Sequence, residues 1–223
     1  VHHTEHALVV DEMARHARIT IDDVVDVIRD EADHSLFSMA GLSEENDMFA
    51  PVVLSSRRRT VWLGINLLTA VLASWVIGQF EDTIEKLVAL AVLMPIVASM
   101  GGIAGSQTLT LVIRGIATGQ VAKSNARRLL NKEFAVGILN GVTWALVVAL
   151  IALFWFGDVQ LSIIMAAAIL VNLIVAALAG AAIPMLLSKI GIDPALAGGV
   201  VLTTVTDVVG FLAFLGMAAL FIV

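Results

Sequence analysis

Five apolar runs, at residues 61–78, 84–113, 134–156, 161–187 and 195–223, decide what this chain can fold into. A helix needs about 20 apolar residues to cross a hydrocarbon core of ~30 Å, and each run reaches that length, the first only just. The runs are apolar throughout rather than alternating. Helices are therefore favoured over the strands of a barrel, because in lipid each backbone amide and carbonyl must be satisfied internally. With 59% apolar and 14% charged residues and a mean hydropathy of +0.97, the composition is far from that of soluble domains. The expected class is all-α: a polytopic membrane protein with five transmembrane helices. The absence of cysteine excludes disulfides and thiolate metal sites.

Charge placement predicts the orientation. Arg57, Arg58 and Arg59 precede the first run; Arg114, Lys123, Arg127, Arg128 and Lys132 separate the second from the third; Lys189 separates the fourth from the fifth. The other side carries Glu81, Asp82, Glu85 and Asp158, with Lys86 as its single base. The positive-inside rule then places the N-terminus in the cytoplasm and the C-terminus outside, in the cell inner (plasma) membrane. No signal peptide is expected, since His2, His3, Glu5 and His6 stand where basic and apolar regions would be.

One side-chain charge follows Pro194, and it is Asp207. An Asp at mid-membrane is unfavourable by roughly 2.5–3.5 kcal/mol, so the carboxylate should face protein, water or an ion. On a helix Thr203, Asp207, Gly210 and Phe214 share one stripe, with Thr204 beside it. The stripe reads as the wall of a polar path, with Gly210 leaving space below the acid. The alternative is that Asp207 bonds a neighbouring helix and holds the bundle together.

The second run, with MPIVASMGGIAGSQTLTLVIRG at its centre, is the other unusual stretch. Pro95 deprives the carbonyl of Ala91 of its helical partner. Pro95, Ser99, Gly102 and Ser106 fall on one face, while Gly101 and Gly105 form a small-xxx-small pair. A broken helix lining a water-filled cavity and a tight packing seam are both compatible with this pattern. Gln107 suits either. Asn66, Thr69, Asn140 and Asn172 read as interhelical hydrogen bonders.

Residues 1–56 hold twelve acids against three bases, too short a piece to bury a good core alone. Thr20 reads as the N-cap of an amphipathic helix over IDDVVDVIRDE, and residues 33–50 as a short connecting helix stopped by Gly41 and followed by the acidic SEEND loop. The segment GQVAKSNARRLLNKE is expected to lie along the inner membrane face. Asp193 before Pro194 reads as an N-cap on the fifth span, with a cytoplasmic ion site there as the other reading. His2, His3 and His6 can bind a metal, although a tag-derived end accounts for them better.

Three stretches together carry a resemblance: QFEDTIEKLVALAVLMP, MPIVASMGGIAGSQTLTLVIRG and LLSKIGIDPALAGGVVLTTVTDVVGF. In their order and spacing the chain resembles the transmembrane part of the MgtE family of magnesium channels and transporters, from about Arg57 onward. VVDEMARHARITIDDVVDVIRDE looks like the end of a CBS domain. The implied organisation is a remnant of a cytoplasmic CBS-like regulatory domain at 1–32, a connecting, plug-like helix and loop at 33–56, and a transmembrane ion-conducting domain at 57–223.

The resemblance further implies a homodimer with the pore at the dimer axis, lined by the second and fifth spans and carrying Mg²⁺. Paired Asp207 carboxylates would hold a hydrated ion, helped by Thr203, Thr204 and backbone carbonyls near Ala197 and Gly198. Pro95, Ser99, Gly102, Ser106 and Gly210 would line the path. One departure is Ile103, where the family usually has Asn in GGNAG. The competing transport reading is a proton- or sodium-coupled divalent cation exchanger using the same carboxylate. An enzyme is not expected: HExxH and GxSxG are absent and no span contains histidine. The expected partners are a second copy, membrane lipid and divalent cations, with no nucleic acid.

Overall fold

The structure, a computed structural model, describes residues 7–10, 16–19, 21–42, 49, 51–122 and 124–222. The expectations for His2, His3, His6, Thr20, Lys123 and the acidic run at 44–47 lie outside these residues. The chain divides into two units, Val1–Arg59 and Thr60–Val223.

In the first unit, β1 (Ala7–Val10) pairs antiparallel with β2 (His16–Ile19), Ala7 opposite Ile19 and Val10 opposite His16. This short ladder is the one β element among the described residues and adds to an otherwise all-α chain. Helix α1 runs Ile21–Met39 without interruption. The predicted boundary at 32/33 and the separate connecting helix therefore merge into one element, because neither glycine nor proline occurs before Gly41. Gly41 does stop it, at φ 68, with the amides of Gly41 and Leu42 donating to the carbonyls of Ser38 and Phe37.

Among the described residues five helices are long and apolar enough to cross a membrane: α2 (Val52–Gly78), α4 (Ala89–Ala117), α5 (Ala126–Phe156), α6 (Val159–Lys189) and α7 (Pro194–Phe221). The second run is interrupted, but not at Pro95. It breaks at Leu87, where φ −137 and ψ 84 leave the helical region between α3 (Glu81–Lys86) and α4. Pro95 sits inside a continuous α4, so the helix absorbs the missing amide instead of opening. The basic segment after α4 is corrected likewise. Its residues from Ala126 onward are the first turns of α5, continuous with the span, rather than a separate surface helix.

Helix α6 is the centre of the second unit and packs on α4, α5 and α7, while α4 also packs on α7. Backbone closeness makes this possible. On α5, Gly137 and Gly141 form a GxxxG pair; a Cβ on Gly137 would lie 3.1 Å from Ile174 Cα, and one on Gly141 3.3 Å from the carbonyl of Leu170. Leu90, Leu93 and Val97 of α4 meet Met165 and Ile169 of α6 and Phe214 and Leu215 of α7 in a fully enclosed core. A second cluster, around Leu109, Ile183 and Leu202, closes the other end of the α4–α6–α7 contact. The α5–α6 connection is tight: Gly157 adopts φ 68 and Asp158 caps α6, accepting from the amides of Gln160 and Leu161 at 2.8 and 3.0 Å. Helix α2 is the least enclosed of the five. Its Asn66 and Thr69 bond the carbonyls of Trp62 and Asn66 in their own helix, not a neighbour.

Candidate functional site

Helix α4 has two distinct faces. Gly101, Gly105, Thr108 and Leu109 are buried. A Cβ on Gly105 would lie 2.8 Å from Leu202 Cδ1 on α7, so the small-xxx-small face is a packing seam. On the other side Ser99, Gly102, Ile103, Ser106, Gln107 and Thr110 of α4, with Thr203 of α7, line an open groove of about 880 Å³. Three residues predicted to line a path, Ser99, Gly102 and Ser106, thus share one groove with the predicted ligand Thr203. Pro95 is exposed on the same helix but is not part of the groove wall. Ile103 is, and it places an apolar side chain where the resemblance expects an amide.

The hydroxyls of this region spend their protons on their own helices. Ser106 Oγ donates to the carbonyl of Gly102 at 2.6 Å. Thr203 Oγ1 donates to Gly199 and Val200, both at 3.1 Å, and Thr204 Oγ1 to Val200 at 2.7 Å. What remains on each oxygen is acceptor capacity. A groove whose hydroxyls present lone pairs suits the outward-pointing protons of a hydrated cation.

Asp207 lies one turn beyond Thr203 on α7, half-buried. Among the described residues it has no hydrogen-bond or salt-bridge partner. The reading of Asp207 as a tether between helices therefore has no contact to rest on. No three His, Cys, Asp or Glu side chains come together among the described residues.

Three other predicted positions are corrected. Gly210 continues the Asp207 stripe but turns into the core. It is buried, and a Cβ there would lie 2.7 Å from Asn172 Nδ2 and 3.0 Å from Val97 Cγ1. Phe214 beyond it is fully enclosed. The stripe is open only in its Thr203–Asp207 half. Ala197 and Gly198 lie within the first turns of an unbroken α7, where each carbonyl is committed to the helical ladder, and a Cβ on Gly198 would lie 3.0 Å from Leu109 Cδ1. No opened backbone is found there.

Asp193 caps α7 as expected, accepting from the amide of Ala195 at 2.9 Å with Pro194 following. Asn172 is wholly buried on α6 and donates Nδ2 to the carbonyl of Val97 at 2.8 Å, while its Oδ1 has no partner. Sequence reasoning missed Glu133. Its carboxylate is buried, accepts from Thr108 Oγ1 at 3.0 Å and pairs with Lys132 Nζ at 2.9 Å. The signal was the position of Glu133 directly before an apolar run, but its neighbour Lys132 made it read as part of a basic loop.

The profile of the MgtE family, described as divalent cation transporter, matches residues 94–217, a stretch that contains the groove and Asp207. The magnesium transporter MgtE of Thermus thermophilus is 34% identical over 216 residues, covering 95% of this chain and 48% of that protein. The magnesium transporter MgtE of Bacillus subtilis is 32% identical over 204 residues, covering 92% and 45%. That of Enterococcus faecalis is 32% identical over 203 residues, covering 91% and 45%. The chain spans about half the length of these curated relatives. With a profile match over more than half of the sequence and the predicted groove inside it, the chain belongs to the MgtE family of divalent cation transporters.

Proposed function

We propose that this chain carries Mg²⁺ across the membrane along the α4–α7 groove, with Asp207 as its charged ligand. One observation supports this most: a half-buried carboxylate without a partner among the described residues, on a helix with no other charge, one turn from Thr203 on the wall of the groove. A carboxylate at membrane depth needs a counter-charge, and a mobile divalent cation supplies it. Mg²⁺ sheds water reluctantly and is commonly held through one or two carboxylates and retained waters. The acceptor-presenting Thr203, Thr204 and Ser106 suit that hydration shell. The three relatives named as magnesium transporters favour this ion over other divalents.

The groove is open on one side, and a single carboxylate leaves a divalent ion half neutralised. A second copy facing the first would close the path and bring a second Asp207, giving a homodimer with the ion on its axis. The N-terminus is cytoplasmic in this reading and the basic loops face inward, so an inside-negative potential drives entry. That potential is worth about 2.3 kcal/mol per charge per 100 mV, and twice as much for a divalent ion. The stretch before α2 belongs in this reading to a regulatory CBS-like part and its connection, joined through the continuous α1.

The test is Mg²⁺ entry into liposomes containing the purified chain, read with an enclosed dye at set potentials and pH gradients. Entry that rises with inside-negative potential at equal pH supports a channel-like path. Entry that requires a proton or sodium gradient would show the coupled exchanger instead. Entry no faster than in protein-free liposomes would remove the proposal.

A further inference from the structure

A second concavity lies away from the groove, between the start of α5, the end of α6 and the loop after α4. It encloses about 610 Å³, with Ile116, Val121, Leu130 and Met185 among its apolar walls, Ala182 at one end and Lys189 at the other. We infer that this cleft binds an anionic phospholipid, seating part of one acyl chain against Ala182 and Met185 and its phosphate against Lys189.

Depth sets the chemistry. Lys189 is the last residue of α6 and Ala182 lies seven residues earlier, which at 1.5 Å per residue is about 10 Å along the helix. Helix α6 has 31 residues, about 46 Å, and so overruns a core of ~30 Å, which puts the cleft across the boundary between headgroups and acyl chains. Apolar walls at that depth meet lipid tails, and the polar end meets headgroups.

The cleft is built rather than incidental. The loop wall is held by the Val121 amide donating to the carbonyl of Gly115 at 2.8 Å, by the Ala122 amide donating to Asn125 Oδ1 at 2.9 Å and by Asn125 Nδ2 donating to the carbonyl of Gln120 at 2.7 Å. Val121 lies so close to α4 that a Cβ on Gly115 would stand 2.6 Å from Val121 Cγ2. A loop pinned in this way keeps the cleft open without a ligand, which reduces the ordering cost of binding.

Charge selects the headgroup. Arg114, Arg127, Arg128 and Lys189 are all exposed at this end of the unit, beside Lys132, which pairs with Glu133. Of the nearby acids, Glu133 is buried and already paired, and Asp193 caps α7. The surplus of positive charge matches a lipid with net negative charge and gives no advantage to a zwitterionic one.

Native mass spectrometry of the whole chain in detergent tests this, with dioleoyl phosphatidylglycerol, dioleoyl phosphatidylcholine and inorganic phosphate as probes. Phosphatidylglycerol should be retained in preference to phosphatidylcholine. Lys189→Gln, a change at an exposed position, should lower that retention roughly fivefold, the worth of one lysine near an anionic surface. Ala182→Phe should abolish the preference by filling the acyl seat, with its thermal midpoint recorded to confirm folding. Equal retention of the two lipids, or unchanged preference in Lys189→Gln, would overturn the assignment. So would displacement of phosphatidylglycerol by millimolar phosphate, which would make the cleft a phosphate site without a lipid. No flux is measured, so failure here leaves the transport reading untouched.

Discussion

Asn172 on α6 donates its amide to the carbonyl of Val97 on α4 at 2.8 Å, and its side chain fits only because positions 101 and 210, on the helices to either side, are glycines. The interaction joins all three helices at one level of the bundle, directly behind the groove. Asn172→Ala removes one interhelical hydrogen bond and should cost about 1–2 kcal/mol. Gly101→Ala should cost at least as much, since its Cβ would lie 2.8 Å from Asn172 Cγ. The double variant should cost clearly less than the sum, with a coupling on the order of 1 kcal/mol, because the truncated side chain makes room. Thermal unfolding of the four proteins in one detergent measures the cycle. Additive losses would mean that the two residues do not share the space.

The two faces of α4 can be told apart chemically, since the chain has no cysteine of its own. Ser106→Cys and Ser99→Cys, on the groove, should react with a water-soluble thiol reagent and lose Mg²⁺ flux when modified. Leu109→Cys, buried against α7, should not react. Mass shift and liposome flux before and after modification are the readouts. Reaction at position 109 with none at 106 would reverse the assigned faces.

Much of this arrangement was legible in the sequence because membranes restrict it. Apolar length gave the five spans, and Gly41 and Asp193 with Pro194 marked helix ends through local chemistry that needs no tertiary contact. Asp207, Thr203, Ser99, Gly102 and Ser106 were legible as polar or small residues where apolar ones are expected. Gly210 was misjudged because helical periodicity places it beneath Asp207 but does not reveal that α7 sinks into the core at that point. The break at Leu87 was not readable either: neither Leu87 nor Val88 is a helix breaker, whereas Pro95, which is, stays within the helix. Glu133 was hidden because its burial depends on Thr108, 25 residues earlier in sequence.

Glu133 also yields a prediction. Its carboxylate accepts the hydroxyl proton of Thr108 on the buried side of α4, so it ties α5 to the helix that lines the groove. Glu133→Ala should destabilise the protein by about 1–3 kcal/mol, leaving Thr108 without its acceptor. Glu133→Gln retains an acceptor oxygen of the same reach and should cost less than half of that. Unfolding midpoints decide between them. Equal losses in the two variants would show that the charge, rather than the hydrogen bond, maintains the contact.

The most direct measurement is Mg²⁺ uptake by liposomes containing Asp207→Asn beside those containing the unaltered chain. The substitution keeps size and polarity while removing the charge from a site with no protein partner. The account predicts a loss of roughly tenfold or more in uptake, equivalent to about 1.4 kcal/mol in ion stabilisation, at an unchanged unfolding midpoint. Uptake at the unaltered rate would contradict it.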